Sequence, residues 1–214
     1  VHLERGLGAC YNFTASQRAT MHTGGYWYGP HPTLPGATVF AYNTLLEERY
    51  DVLDSKHQAR IQRGDLLRVV QRANATGTTV WLLSHKYPGA SEDSSGWTDF
   101  INGVLESPSV TVYLAGHSHR DEIVNLGSRP VPVPGSIYPE PRSTLRQYFY
   151  RSDFIVGWKQ WEMDLSTGTF SLRYDTRTFG MDNATASGLV AWCDRLDGDP
   201  DLMRSWRAAP GGYG

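Results

Sequence analysis

The chain lacks any apolar run near the ~18 residues that a membrane-crossing helix needs. It is poor in cysteine: two among 214 residues, so at most one internal bridge, Cys10 to Cys193, is open to it. A buried free thiol, or a bridge to a segment outside the chain, is equally compatible with those two positions. Net charge is nearly absent, with 20 Lys+Arg against 22 Asp+Glu. That removes the general electrostatic case for nucleic acid or an anionic membrane as partner. Internal repeats and low-complexity tracts are missing too. The opening, VHLERGLGAC, has no long apolar stretch and starts on Val, so the chain reads as a processed piece of something longer.

What is present is globular. Hydrophobic residues make up 40% and aromatics 12%, enough to build a core and to exclude wholesale disorder. The length suits one good-sized domain. Three sequons, at Asn12, Asn74 and Asn183, point to glycosylation and passage through the secretory pathway. With 22 glycines and a proline-rich stretch from Pro130 to Pro141, they fit an extracellular or lysosomal protein.

Residues 1–24 are expected to be irregular, with Gly24-Gly25 as a breaker. Three apolar runs follow, Ala37–Tyr42, Thr78–Leu83 and Val110–Ala115, and each reads as a buried strand. Between them, Lys56–Ala73 carries Ala59, Leu66, Val70 and Ala73 on one helical stripe, and Gly96–Glu106 suits a shorter helix. Strands alternating with helices predict an α/β fold, a mixed sheet flanked by helices. Glu122–Leu126 reads as a further strand. Asp153–Leu165 and Thr169–Tyr174 then form a hairpin through Ser166-Thr167-Gly168. The tail, 176–214, reads as helical in two pieces, the second opening at Asp199-Pro200.

Two of the strands run into histidine. His85 follows WLLS, and His117 and His119 follow VYLAG. In open α/β sheets ligands bind beyond the carboxyl ends of the strands. Residues two apart in extended chain point the same way, and Gly116 lets the backbone come close. Three imidazoles are therefore expected to converge at one rim, as a site for zinc or a similar transition metal. Each histidine taken singly would more often be a strand-end residue touching a carbonyl; the combination favours a metal site. Asp121 and Glu122, just after the block, read as solvated loop charges. Arg142, Arg146 and Arg151 read as surface arginines or as partners for a phosphate. Tyr26, Trp27, Tyr28 and His31 read as packing under a loop.

Ser84-His85-Lys86-Tyr87-Pro88-Gly89 and Leu114-Ala115-Gly116-His117-Ser118-His119-Arg120-Asp121-Glu122 resemble the last two metal-binding blocks of calcineurin-like metallophosphoesterases. The acid sphingomyelinase-like branch is the nearest likeness. Gly25–Tyr28, Val39–Thr44 and Pro134–Pro139 resemble segments of that branch. The likeness covers roughly residues 24–175, so that 25–175 would be the carboxyl-terminal half of such a domain. It implies a sandwich of two sheets with two metal ions at the rim. His85 and His117 would then be ligands of one ion and His119 of the other, around a bridging hydroxide.

The upstream half of that family's site, D-x-H, G-D-x-x-D and G-N-H-[DE], is missing from the sequence. Three histidines cannot hold two divalent ions without carboxylates. The expected cofactor, a binuclear centre with zinc as the natural ion, therefore requires a partner chain or segment carrying the N-terminal half. Half a sandwich should also leave an apolar sheet face and edge open for a neighbouring subunit. Two functions compete: the carboxyl-terminal half of a secreted or lysosomal phosphoesterase acting on a phosphodiester, sphingomyelin-like in the branch resembled, or a catalytically degenerate glycosylated module with a structural role.

Overall fold

The computed structural model describes residues 13–47, 55–90, 95–126, 129–135, 143–181, 186–202 and 204. Helix α1, Ala15–Gly24, leads into strands β1, Trp27–Pro30, and β2, Ala37–Tyr42. A 3₁₀ turn at Thr44–Glu47 precedes the long helix α2, Ser55–Thr76. Strand β3, Thr79–Ser84, helix α3, Ser95–Leu105, and strand β4, Val110–Leu114, complete the first layer. Next come β5, Glu122–Leu126, and β6, Arg129–Val133, then β7, Thr144–Arg151, β8, Phe154–Asp164, and β9, Thr169–Asp175. A 3₁₀ turn at Thr176–Phe179 and helix α4, Ala186–Gly198, follow.

The expected α/β class is borne out. One sheet has the order β1-β2-β3-β4, with β2, β3 and β4 parallel and β1 antiparallel at the edge. A two-stranded hairpin, β5-β6, and a three-stranded antiparallel sheet, β7-β8-β9, make up the rest. The parallel strands are continuous apolar runs because both their faces are covered. Phe40, Val80, Leu82 and Val110 form one core with Leu66 and Val70 of α2 and with Trp97 and Ile101 of α3. Val39, Trp81 and Val112, on the opposite face, pack on Ile155 of β8. The tip of the β7-β8 hairpin is tied down as well: the Asp153 carbonyl accepts from the Trp81 indole at 3.2 Å and the Thr111 hydroxyl at 2.7 Å. A third core holds Trp158 and Tyr174 against Leu189, Trp192 and Leu196 of α4.

Three expectations need correction. Residues 1–24 are not wholly irregular, because 15–24 are helical. Thr14 starts that helix with a capping box: its hydroxyl accepts from the Gln17 amide at 3.2 Å, and the Gln17 side chain accepts from the Thr14 amide at 2.8 Å. The four-stranded sheet has no open apolar face, since Val39 and Trp81 are each only 7% exposed. The exposed apolar row lies instead on the outer face of β7-β9, where Leu145 and Leu172 flank Trp161 in register and stay 50% and 44% exposed. Finally, the proline-rich stretch contributes a strand. Pro130 and Pro132 sit two apart in β6, so both missing N–H groups fall on one edge and pairing with β5 survives.

Candidate functional site

The sheet places the two histidine loops side by side. His85 follows the last residue of β3, and Gly116-His117 follows β4, its parallel neighbour. The Gly116 amide donates to the His85 carbonyl at 2.9 Å, extending the ladder by one rung beyond the strands. His117 Nδ1 and His85 Nε2 are 3.3 Å apart, with ring centroids 5.2 Å apart and planes at 82°. Behind them the Ser84 hydroxyl lies 2.8 Å from the Tyr113 phenol and donates to the Lys86 carbonyl at 2.6 Å. The Tyr87 phenol reaches Glu122 at 3.5 Å, and burial together with that carboxylate raises its pKa.

The sequence reading thus brings two of its three imidazoles together. His119 does not join them. Among the described residues no three His, Cys, Asp or Glu side chains gather closely enough to hold a metal ion. The reason lies in the backbone. His117 and His119 have φ of 87° and 58°, so the loop is not the extended chain that would point both rings one way. Left-handed backbone costs a non-glycine residue about 1–2 kcal/mol. His119→Gly is accordingly expected to keep the fold and to hold or raise its stability by up to ~1 kcal/mol, read from the urea midpoint. A loss larger than that would show that the ring makes a stabilising contact.

The pair fits a metal in one respect. Two nitrogens bound to one tetrahedral zinc at ~2.0–2.1 Å stand about 3.3 Å apart, the separation found here. It also fits an imidazole–imidazole hydrogen bond. His85 and His117 would hold one side of a single ion. The carboxylates that a second ion demands are not assembled beside them among the described residues, so a complete binuclear centre does not fit this chain alone.

Several residues singled out in the sequence have other work. Asp121 is not a solvated charge. Its side chain is 8% exposed and ion-paired with Arg146, itself 1% exposed, while the Tyr174 hydroxyl donates to it at 2.6 Å. Arg146 is therefore not a surface arginine, and its distance from solvent argues against a role in gripping phosphate. Tyr26 and Tyr28 stack on Phe40, and His31 packs on Trp81, as expected for packing residues. Arg63 and Asp65 lie in α2, paired with Glu47 and with Tyr26. Asn74 is exposed near the end of α2 and its amide donates to Ser107 at 3.0 Å. Asn12, Asn183 and Cys10 lie outside the described residues, as do Arg142 and residues 136–139 of the Pro134–Pro139 likeness. Cys193 of α4 carries a free, half-buried thiol whose pKa is raised by burial and by Asp197 and Asp194.

No protein-family model matches the sequence. No curated protein matches it either. Among solved structures, GAP50, the anchor in the inner membrane complex of Plasmodium, is similar at 15% identity and a TM-score of 0.43, over 74% of this chain and 60% of that one. A Staphylococcus aureus protein assigned as a 5′-nucleotidase, in complex with α-ketoglutarate, is similar at 11% identity and a TM-score of 0.33, over 70% of this chain and 28% of that one. The chain thus spans less than two thirds of either neighbour's length. Likeness this distant identifies no activity. No helix among the described residues is long and apolar enough to cross a membrane.

Proposed function

We propose that this chain is the carboxyl-terminal half of a metal-dependent phosphoesterase of the calcineurin-like type, completed by a segment or partner that supplies the upstream metal-binding motifs. One observation carries the reading: His85 and His117 meet at 3.3 Å beyond the carboxyl ends of adjacent parallel strands. That is where α/β sheets bind ligands, and the spacing suits two nitrogens on one ion. The G-H-S-H block and its likeness to the acid sphingomyelinase-like branch put the substrate among phosphodiesters. The three sequons support passage through the secretory pathway to an extracellular or lysosomal site. When bound, the ions would supply the activated hydroxide and the clamp on phosphate.

The test is metal binding by the isolated chain. Zinc, or cobalt as a spectroscopic probe, is expected to bind once. His85→Ala and His117→Ala should each weaken that binding by at least about 100-fold, since each removes half of the protein's grip. Full affinity in both variants would overturn the assignment. Hydrolysis of a simple phosphodiester is expected only after the upstream segment is added.

A second reading is favoured by a specific finding. The carboxylates of a binuclear centre are not gathered at the histidine pair among the described residues. A degenerate module that kept the fold and serves as a structural subunit would show that arrangement. It predicts no zinc binding and no gain of activity on adding the upstream segment.

A further inference from the structure

The loop between β4 and β5 is fastened at both ends by groups that lie far apart in the sequence. At its start, the Gly116 amide is bonded to the His85 carbonyl. At its end stands Asp121, two residues after His119. The Asp121 carboxylate is held by Arg146 of β7 and by Tyr174 of β9, whose hydroxyl lies 2.7 and 2.6 Å from its two oxygens. Gln160 of β8 fixes the arginine, accepting from its Nε at 2.8 Å. Trp158 of β8 lies under the guanidinium at 4.9 Å and directs its indole N–H to the Tyr174 oxygen at 3.4 Å. All three strands of the β7-β9 sheet thus converge on one buried carboxylate.

Between the two fastenings, His117 and His119 both hold left-handed backbone. A loop with two such residues relaxes unless its surroundings over-determine it. Past the Gly116 bond, the pairing of Glu122 with Val133 and the Tyr87–Glu122 contact hold the chain from β5 onward, and Asp121 is the anchor nearest to the two left-handed residues. We propose that Asp121 is the positioning residue of the histidine loop, and that the β7-β9 sheet acts through it to keep the His117 ring against His85. The proposal takes the His85–His117 pair as the functional centre. It does not depend on the reaction catalysed there.

Two variants test it. Tyr174→Phe removes one hydroxyl and keeps the ring. Asp121→Asn keeps the shape and removes the charge. Trp192→Phe is the control: it loosens the same core, whose centre is the Trp158–Trp192 contact at 6.3 Å, without touching Asp121. Hydrogen exchange at the Gly116 amide reads the loop, and imidazole ¹⁵N resonances read the His85–His117 contact. Both loop variants are expected to speed Gly116 exchange by about 10-fold or more relative to amides within β3 and β4, to shift both imidazole resonances and to weaken zinc binding by about 10-fold. The control should leave all three unchanged. If Tyr174→Phe lowers the melting temperature while Gly116 exchange and the imidazole signals stay at parent values, Asp121 only stabilises the core and the proposal is wrong. Should Asp121→Asn fail to fold, Tyr174→Phe decides alone. A parent that never binds zinc defeats the phosphoesterase reading, and the exchange and imidazole readouts still judge the clamp.

Discussion

Trp158→Ala is expected to cost about 3–5 kcal/mol of unfolding free energy, a large part of the ~5–15 kcal/mol typical of a domain. Trp158 is 1% exposed and sits where four elements meet. Its ring contacts Trp192 of α4 edge-on and Tyr148 of β7 at a tilt. It also lies under the Arg146 guanidinium. Alanine would open a cavity and leave that buried cation with only the more distant Tyr148 ring, 5.9 Å away, so the cost combines lost transfer energy with lost cation–π attraction. Trp161→Ala, three residues on, provides the contrast. Trp161 lies on the outer face, paired across the strands with Leu145 and Leu172. It is half-buried, and its loss should cost about 1–2 kcal/mol. Guanidinium titration with near-ultraviolet circular dichroism would rank the two. Equal losses would contradict the assignment of inner and outer faces.

The sequence displays the parallel layer and the β8-β9 hairpin clearly, and strand β7 not at all. Ala37–Tyr42, Thr79–Ser84 and Val110–Leu114 are unbroken apolar runs because helices cover one face and a hairpin the other. Strand β7 stayed hidden for the opposite reason. Its inward positions are Thr144, Arg146 and Tyr148, so the alternation that marks a half-buried strand is broken by a charge. Arg146 is buried only because Asp121 comes from 25 residues earlier to meet it, and no local pattern announces so distant a pairing. Helix α1 was obscured by composition: its ten residues, ASQRATMHTG, carry almost no apolar stripe. The signal that could have found it is the Thr14-to-Gln17 capping box, which shares Thr14 with the Asn12 sequon.

The histidine pair was legible because its placement follows from sheet topology. Strand ends bring His85 and His117 together whatever the loops do. His119 is not legible, since its i, i+2 spacing signals convergence only in extended chain and this loop turns left-handed twice. Asp121 illustrates the same gap. A carboxylate beside a candidate site looks like a solvated charge or a ligand, and only the β7-β9 sheet shows that it is buried as an anchor.

Above pH ~10 the protein is expected to lose stability steeply and unfold over a narrow range, through its buried tyrosines. Tyr42 is 4% exposed and Tyr174 is 6% exposed. Burial raises the Tyr42 pKa far above its usual value, and the Glu47 carboxylate, to which its phenol donates, raises it further. Burial does the same to Tyr174; Arg146 opposes it and Asp121 adds to it. Tyr26 and Tyr148 are also shifted upward, with burial the leading cause. A phenol whose folded pKa is raised stays protonated in the native state while the unfolded chain begins to ionise near pH 10. Its stabilising effect is complete below pH ~10 and is lost as pH climbs from there towards the folded value. Each such group contributes a slope of about 1.4 kcal/mol per pH unit, so Tyr42 and Tyr174 together give about 3. Absorbance at 295 nm should therefore rise cooperatively and in step with the loss of far-ultraviolet circular dichroism. Tyr42→Phe should cost roughly 1 kcal/mol at neutral pH, through the lost hydrogen bond to Glu47, and should flatten the alkaline slope by about 1.4 kcal/mol per unit. Smooth titration of every tyrosine near pH 10 with the secondary structure intact would mean that these phenols reach solvent. The Tyr42–Glu47 pair and the Tyr174–Asp121–Arg146 group would then not be closed to solvent as the fold requires.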